Sequence, residues 1–321
     1  MTAPGLSVFA GIDAGSSCSK LAYSDNLGTR VLSRADGADF MTLREDAEIF
    51  FGEPVYSCVV AVHDDMPRRQ RETLRSKAVS AGFRDVNIIG QYEALSLSLA
   101  DSGRILACDF GASGCKFAVL EGEEVLESVN VDAGGEMFGR IFAEYLCERR
   151  LLKKVTPEIM SEAKRIMHIL SENESRLWHN MNICRDDFAR LIYFPVKRAS
   201  HTFRRLLRVW KPERAILTGG CAKIPLVREF FPEAEIIDDV IVKGAALKGL
   251  SLSKQEARKN IADSVSRLRA LRAEILRIED GLTRSQKDRV YTLFRQAEGF
   301  FANDAGIITM MENLIREIRN A

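Results

Sequence analysis

The sequence predicts an α/β fold made of two similar halves, followed by a segment that contains only helices. Strand and helix patterns alternate from the N-terminus to about residue 250, as in folds whose sheets are covered by helices. A short motif, Asp-x-Gly-x-Ser-x-x-Lys, occurs once at Asp13 and again at Asp109. After Ser253 the strand patterns stop, and apolar residues recur at helical spacing.

The composition places the chain among ordinary globular proteins. Its 321 residues predict roughly two domains, and 46% of them are hydrophobic and 28% charged. The net charge of +1 gives no reason to expect nucleic acid or an anionic membrane as a partner. No apolar run approaches the roughly 18–20 residues that span a bilayer. We expect no signal peptide, and the 7 scattered cysteines, which suggest neither a metal site nor a disulfide framework, favour a cytoplasmic location.

The first half is predicted to begin with a hairpin and to continue with alternating strands and helices. Gly37 and Pro54 act as breakers, and the mixed stretch 36–54 predicts no regular element. The predicted elements are, in order, strands LSVFAGID, SKLAYSD, VLSRA and YSCVVAVH, a helix from Arg68 to Ala81, strand RDVNIIG and helix QYEALSLSLAD.

The second half is predicted to open with a second hairpin, RILACDFG and CKFAVLEG, followed by a strand in EEVLESVNVDAGG. Its remaining elements are helices from Glu136 to Arg150, from Thr156 to about Leu170 and from Asp186 to about Trp210, strand RAILTGG, a short helix from Lys223 to Phe231, strand AEIID and helix KGAALKGLSL.

The tail is predicted to form about three helices. Thr283 and Gln286 have the spacing of a capping box, which starts the second helix, and the stretch 303–306 ends it. A packed bundle is the ordinary interpretation, and a dedicated partner-binding surface is the alternative.

The duplicated motif has the chemistry of a phosphate cradle. A glycine lets backbone approach a ligand closely, and successive N–H groups in such a turn suit phosphate oxygens. The aspartate at the strand end can bind a hydrated Mg²⁺ or orient a water. Lys20 and Lys116 lie on the returning strands, where a lysine more often faces solvent; ligand contact is the alternative. The residues of the two loops that are predicted to surround a phosphate are Gly15, Ser16, Ser17, Gly111, Ala112 and Ser113.

Further segments fit the same cradle. Gly134, Gly135 and Glu136 open a helix, which is a favourable start for an anion site. The pair Gly219–Gly220 follows a strand, and Lys223 comes shortly after it.

These motifs together resemble the actin-like ATPase superfamily, and within it the 70-kDa heat-shock chaperones. GIDAGSSCSKLAY and ACDFGASGCKFAV are similar to the two phosphate loops of that family, and VDAGGEMFGRIF to the helix start that follows the second. The segment from CVVAVHDD to LSLSLA, the helix SEAKRIMHILS and the loop AILTGGCAKIP also resemble the family, in the same order. The resemblance extends over about 250 residues.

The resemblance implies two ribonuclease-H-like halves that bind ATP or ADP with Mg²⁺. Lobe I would comprise about residues 1–106 with the last helix of the domain, and lobe II about 107–237, within a nucleotide-binding domain of residues 1–252. Asp13 would lie near the metal and Asp109 near the attacking water, both holding Mg²⁺ through waters. Lys164, Arg165 and Lys223 would flank the adenosine, with Gly219 and Gly220 at the α-phosphate and sugar.

The chain also departs from the family pattern at the catalytic positions. Gln91 stands where the family has an acidic residue that organises metal and water. The large lobe that supplies a catalytic lysine is reduced to residues 36–54, and no matching lysine is found. The second loop lacks the family's threonine, and a later hairpin is shortened to about ESRLWHNMNIC. Because phosphoryl transfer depends on positioning and electrostatics, these losses predict ATP binding with weak or absent hydrolysis.

The family's β-sandwich for peptides is missing, and residues 253–321 are similar in pattern to its helical lid. The resemblance therefore implies a minimal chaperone-like protein, in which nucleotide-dependent lobe closure signals to a helical tail that also offers a surface for a protein partner. A non-catalytic nucleotide-gated adaptor or co-chaperone is the alternative, and an actin-like polymer is a further one. A sugar or acetate kinase is disfavoured because no acceptor-site motif is visible.

Cysteines occur in all three nucleotide loops, at Cys18, Cys115 and Cys221, with Cys108 on the strand before the second. Small buried fillers are the ordinary interpretation. A thiol that reports the redox state through nucleotide affinity is the alternative.

Overall fold

The computed structural model describes residues 8–15, 18–37, 39–99, 103–278, 282–299 and 305–320. These residues form two compact units. One comprises Phe9–Gly249, and the other contains Val8 and the described residues from Leu250 onward.

The larger unit contains two mixed sheets of five strands each. The strands of the first sheet are β1 (Phe9–Ala14), β2 (Cys18–Asp25), β3 (Gly28–Asp36), β4 (Ser57–Val62) and β5 (Asp85–Gly90). They lie in the order β3-β2-β1-β4-β5, with an antiparallel hairpin on one side of β1 and parallel strands on the other. β4 is buried along nearly its whole length, as its continuous run of valine, alanine and cysteine predicts.

The second sheet repeats this arrangement. The later strands are β6 (Arg104–Phe110), β7 (Cys115–Glu121), β8 (Glu124–Val131), β9 (Ser175–Trp178), β10 (Met181–Cys184), β11 (Arg214–Thr218) and β12 (Glu235–Ile236). β9 and β10 pair as a small separate hairpin, and the others form the order β8-β7-β6-β11-β12. β6 pairs antiparallel with β7 and parallel with β11, as β1 does with β2 and β4. The chain is therefore an α/β protein whose two sheets share one topology, consistent with a two-lobed ATPase fold.

Helices connect and cover the strands. They are α1 (Phe40–Phe51), α2 (Arg68–Ser80), α3 (Gln91–Ser98), α4 (Gly135–Arg149), α5 (Pro157–Glu172), α6 (Arg185–Trp210), α7 (Pro225–Phe230) and α8 (Val240–Ile278). The capping predicted from Thr156 is confirmed, because its side chain accepts a hydrogen bond from the backbone N–H of Ile159 at 3.4 Å. The predicted helix from Lys223 to Phe231 divides into a 3-10 turn at Gly220–Lys223 and α7.

The prediction of no regular element in residues 36–54 was wrong. Asp39 accepts a hydrogen bond from the backbone N–H of Thr42 at 3.1 Å and so caps α1, and Gly52 ends the helix in the left-handed conformation. Pro54 lies just beyond this end. The breaker residues therefore bound a short helix.

Aromatic packing fixes the second hairpin of the larger unit. The ring centroids of Phe110 and Phe231 are 5.9 Å apart, and those of Phe203 and Phe231 are 5.0 Å apart. Phe117, on the returning strand, is also fully buried and lies against Phe203 and Phe231. Edge-to-face and tilted pairs of this kind add to the stability that burial alone gives. The loop between β6 and β7 is consequently held on a rigid base.

The start of α8 packs against the first sheet and α3 at very short range. A Cβ atom on Gly244 would overlap the backbone carbonyl of Ala94, and one on Gly11 would overlap the backbone of Ala246. The Ser98 hydroxyl donates to the carbonyl of Val240 at 2.6 Å. Glycine is required at both positions because backbone meets backbone there.

The smaller unit is helical in nearly all of its described residues. Beyond Leu250 it comprises the rest of α8 with α9 (Arg284–Gly299) and α10 (Ala305–Asn320). The predicted capping box is present, since the backbone N–H of Thr283 donates to Gln286 at 2.9 Å and the Thr283 hydroxyl accepts from the N–H of Gln286. Its small apolar core consists of Leu271, Ile275, Val290, Ile308, Met311, Leu314 and Ile315. The division of the chain at residue 252 into an ATPase domain and a separate helical domain stays a prediction.

None of the helices in the described residues has both the length and the apolar composition that crossing a membrane requires.

The close approach of α8 yields a first testable prediction. Gly244→Ala should lower the thermal unfolding midpoint, because overpacking against backbone costs about 1–3 kcal/mol. Gly139→Ala in α4 is the matched control, since its Cβ would meet only flexible side chains at ordinary contact distances, those of Lys164 at 3.4 Å and Met160 at 3.9 Å. There alanine should be neutral or stabilise by about 0.5–1 kcal/mol through helix propensity. Equal midpoints for the two variants would contradict the packing described here.

Candidate functional site

The site of the first sheet lies where three parallel strands end. Asp13 is near the end of β1, His63 directly follows β4, and Gln91 directly follows β5. Because parallel strands present their carboxyl ends at one edge of a sheet, these three side chains lie at that edge. The sequence therefore brings together residues that are up to 78 positions apart.

The second sheet contributes its own carboxyl ends to the same cavity. Asp109 lies near the end of β6 and Thr218 ends β11, and the two are paired in register. The cavity between these two edges has a volume of about 260 Å³. Its lining residues on the phosphate loops and nearby strand ends include Asp13, Gly15, Gln91, Asp109, Gly111, Ala112, Ser113, Gly219, Gly220 and Lys223. Ser16 and Ser17, predicted to belong to the first loop, lie outside the described residues.

Asp13 is a buried carboxylate with an unpartnered oxygen. Its side chain is 7% exposed, and Oδ1 has no hydrogen-bond partner. Burial raises the pKa of Asp13 to about 6, although the nearby Lys20 ammonium acts to lower it. A buried polar atom without a partner is rare in folded proteins, and one that lines a cavity is placed to receive a ligand or a water.

Asp109 has a similar environment. Burial raises the pKa of Asp109, against the opposing effects of His63, Lys116 and Lys20. The negative charge of Asp109 in turn helps to raise the pKa of Asp13. A bound cation would favour the ionised form of Asp13, which burial and the charge of Asp109 both oppose.

Gln91 is held by a histidine that the sequence analysis did not identify. Gln91 is 5% exposed, and its Oε1 lies 2.6 Å from Nδ1 of His63. The next residue, Tyr92, donates its backbone N–H to Asp64 at 3.1 Å. Gln91 is thus fixed at the start of α3 with its amide oxygen already engaged. A single histidine after a strand carries no motif, so only its position at a parallel strand end could have indicated His63.

Glycine is required at the close contacts between the loops. A Cβ on Gly134 would overlap Ala112 and Gly114 of the second loop, and one on Gly15 would overlap the carbonyl of Cys18. Gly219 has φ +92°, and a Cβ there would come within 2.5 Å of Asp109 Oδ1. Nothing lies within 4 Å of a Cβ built on Gly220, which faces open space. The loops therefore pack against one another, and the backbone at Gly220 is left accessible from the cavity.

The start of α4 supports the second loop. The backbone N–H of Gly135 donates to Gly111 at 3.1 Å, and that of Glu136 donates to Ala112 at 2.9 Å. These two amides are thus engaged by loop carbonyls. The role of Gly134, Gly135 and Glu136 in direct nucleotide binding stays a prediction, and their described contacts position the loop.

A second cavity of about 210 Å³ adjoins the first. It shares Ala112, His168 and Gly220 with the first cavity and is also lined by Lys164. Their combined volume falls in the range of about 300–1,000 Å³ that is usual for small-molecule sites. Lys223, on the first cavity, lies 3.6 Å from Asp238.

Arg165 is placed differently from its neighbour Lys164. It is bonded to Glu162 at 2.9 Å, and its side chain is 53% exposed. Among the described residues that line the two cavities, Arg165 is absent. The adenosine contact predicted for it therefore has no support in the described contacts.

The residues present fit a hydrated metal ion bound together with phosphate. No group of three or more His, Cys, Asp or Glu side chains in the described residues is arranged to hold a metal alone. Mg²⁺ commonly keeps several waters and binds through one or two carboxylates plus substrate phosphates. The unpartnered oxygen of Asp13, with Asp109 nearby, fits that mode.

The cysteines beside the loops are mostly buried thiols. Cys108, Cys115 and Cys221 are buried, and the sulfur atoms of Cys108 and Cys115 are 3.3 Å apart. Burial raises the pKa of the Cys221 thiol to about 12, so it is protonated at neutral pH. This environment agrees with packing residues.

The raised pKa of Asp13 yields a prediction about pH. Its folded-state value of about 6 exceeds the usual 3.8, so the ionised carboxyl destabilises the fold fully above about pH 6 and hardly at all near pH 4. We expect Asp13→Asn to stabilise the nucleotide-free protein at neutral pH, by an amount on the order of 3 kcal/mol at most.

Thermal unfolding in EDTA at about pH 7.5 and about pH 4 measures this, and the gain should be present only at the higher pH. Asp263→Asn, at an exposed position of α8, is the matched control and should change neither midpoint. A gain of equal size at both pH values would contradict the cause given for the Asp13 pKa.

Comparison with known proteins finds relatives that are named chaperone or heat-shock proteins. The chaperone protein HscA homolog of Haemophilus influenzae (strain PittEE) is 27% identical over an alignment of 238 residues, and the match covers 65% of this chain and 38% of that protein. The chaperone protein dnaK1 of Synechococcus elongatus is 28% identical over an alignment of 142 residues, with coverage of 41% of this chain and 22% of that protein. Heat shock 70 kDa protein 14 of Danio rerio is 24% identical over an alignment of 285 residues, with coverage of 74% of this chain and 56% of that protein.

No family model matches the sequence. The chain spans less than two thirds of the length of each of these relatives. The similarities support a relationship to the 70-kDa heat-shock proteins, at low identity and over part of their length.

Proposed function

We propose that this chain is a nucleotide-binding, chaperone-like protein that holds ATP or ADP with Mg²⁺ and hydrolyses ATP slowly. The observation that carries the proposal is the convergence of two sheets of equal topology on one cavity, with Asp13 and Asp109 on its opposite sides. The similarity to heat-shock chaperones supports the same class of ligand.

In this proposal, the two loops surround the phosphates. Backbone at Gly15 and Gly111 approaches the phosphate oxygens closely, because no Cβ intervenes. Mg²⁺, when bound, would neutralise phosphate charge beside Asp13. Asp109 orients the water that attacks the γ-phosphorus, and the bond to the β–γ bridging oxygen breaks to leave ADP and phosphate.

Slow hydrolysis follows from the lack of a negative charge at residue 91, which is a glutamine. An amide cannot accept a proton from water or add negative charge beside the metal, and Oε1 of Gln91 is already engaged by His63. Nucleotide binding depends on the two loops and on the carboxylates of Asp13 and Asp109, which this chain shares with the family pattern. The rate of hydrolysis should therefore be lowered more than the affinity for the nucleotide.

The same observation favours a second candidate, a nucleotide-gated adaptor without catalysis. If Gln91 removes hydrolysis altogether, the bound nucleotide acts only as a switch of conformation. The two candidates share the binding site and differ in turnover alone.

The test combines calorimetric binding of Mg-ATP with single-turnover hydrolysis. We expect micromolar binding, slow hydrolysis by the natural chain, and at least about a tenfold faster rate for Gln91→Glu, since tenfold corresponds to only about 1.4 kcal/mol of barrier. A variant Asp109→Asn controls for contaminating ATPase, because it should abolish the residual rate. Chaperone-like turnover by the natural chain would contradict the slow-hydrolysis proposal, and binding of ATP without detectable hydrolysis by the natural chain would favour the adaptor.

We also propose that the nucleotide state reaches residues 253–321, whose described part is helical and contains no strand, and that this segment offers a surface for a protein partner. Limited proteolysis with ATP, ADP or no nucleotide tests this coupling. Cleavage within 253–321 should differ between ATP and ADP in the natural chain and not in Asp13→Asn, in which a metal-facing carboxylate is lost. Identical cleavage in all three states would refute the coupling while leaving nucleotide binding intact.

A further inference from the structure

Each of the two hairpins at the site places a lysine directly opposite its aspartate. Asp13 pairs with Lys20 across β1 and β2, and Asp109 pairs with Lys116 across β6 and β7. Both lysines line the cavity and are only partly exposed. The lysines of the duplicated motif therefore face the candidate ligand site and not bulk solvent.

The two lysines differ in what they bind. Nζ of Lys20 lies 3.1 Å from Asp239, which also accepts hydrogen bonds from Arg34. Lys116 has no carboxylate within 4 Å in the described part of the chain, although the carboxylates of Asp64, Asp65 and Asp109 act on it from farther away. Lys20 thus forms an ion pair with Asp239, whereas Lys116 forms no ion pair within the described residues.

The other lysine and arginine side chains that line the cavity also form ion pairs. Arg34 is bonded to Asp239 at 2.8 Å, and Lys223 lies 3.6 Å from Asp238. Of the described lysines and arginines that line the cavity, Lys116 is the one without an ion-pair partner. Its partial burial lowers its pKa, as expected for an ammonium that has lost water without gaining a close counter-ion.

The position of Lys116 suits the terminal phosphates of a nucleotide. It comes two residues after Gly114, whose carbonyl closes the second loop by accepting a hydrogen bond from the backbone N–H of Gly111 at 3.0 Å. A nucleoside triphosphate adds several negative charges to a cavity that already contains Asp13 and Asp109. Positive charge must balance them, and Lys116 is the lysine or arginine side chain among the described lining residues that is not already paired with a carboxylate.

We propose that Lys116 binds the terminal phosphates directly and lets this chain hold a nucleoside triphosphate with little dependence on a divalent cation. The inference rests on the proposed function, because it concerns the same site. It assigns Lys116 to phosphate binding, whereas a lysine on a returning strand is more often expected to face solvent.

The experiment measures binding of ATP and AMP to the full chain by calorimetry, in excess EDTA and in excess MgCl₂. We expect the natural chain to bind ATP in EDTA within about tenfold of its affinity in MgCl₂, a difference of about 1.4 kcal/mol. Lys116→Met should lose at least about tenfold in ATP affinity in EDTA, less in MgCl₂, and nothing for AMP. Lys116→Arg keeps the charge and should retain most of the ATP affinity.

Lys77→Met is the matched control, since Lys77 is exposed on α2 and outside the cavity. The unfolding midpoint of each nucleotide-free variant shows whether it is folded. The inference is overturned if Lys116→Met binds ATP in EDTA as the natural chain does, if it loses ATP and AMP equally, or if the natural chain binds ATP only with MgCl₂. A natural chain that binds no ATP in either buffer overturns the proposed function itself, and this inference with it.

Discussion

The structure depends on one geometrical constraint, the parallel pairing of β1 with β4 and of β6 with β11. Parallel neighbours end at the same edge of a sheet, so polar residues that follow distant strands meet there without any local sequence signal. The pairing places His63 and Gln91 beside Asp13, and Thr218 and Gly219 beside Asp109. The cavity, its buried charges and its loop contacts all follow from these two edges.

The constraint also explains why two carboxyls at the site have raised pKa values. Side chains near the ends of these strands pack against the neighbouring strands, and here they include two carboxylates. Burial opposes their ionisation, and the raised pKa values of Asp13 and Asp109 are the result. A fold gains no stability from such residues. Their presence is explained by ligand binding, because carboxyls that are already desolvated in the folded chain need not lose water again when a ligand binds.

Much of the fold was predictable because its signals are local. The duplicated hairpins, the buried β4 and the cap at Thr156 each depend on residues within one turn or strand. The sequence does not predict helix α1, because Gly37 and Pro54 are helix breakers whether they interrupt a helix or, as here, lie on either side of one. His63 was missed for a different reason, since its role comes from strand order, which no short window contains. The ion pairs that distinguish Lys20 from Lys116 are likewise invisible in two copies of the same motif.

The glycine contacts of α8 have a mechanical consequence. Because backbone meets backbone at Gly11 and at Gly244, the first turns of α8 can neither rotate about the helix axis nor slide along β1 without steric overlap. The ion pair between Lys248 and Glu93, at 2.7 Å, joins α8 to α3 from the outside. The first sheet, α3 and the start of α8 consequently behave as one rigid block. Any widening of the cavity has to come from displacement of the second sheet relative to this block, through the segments that connect the two.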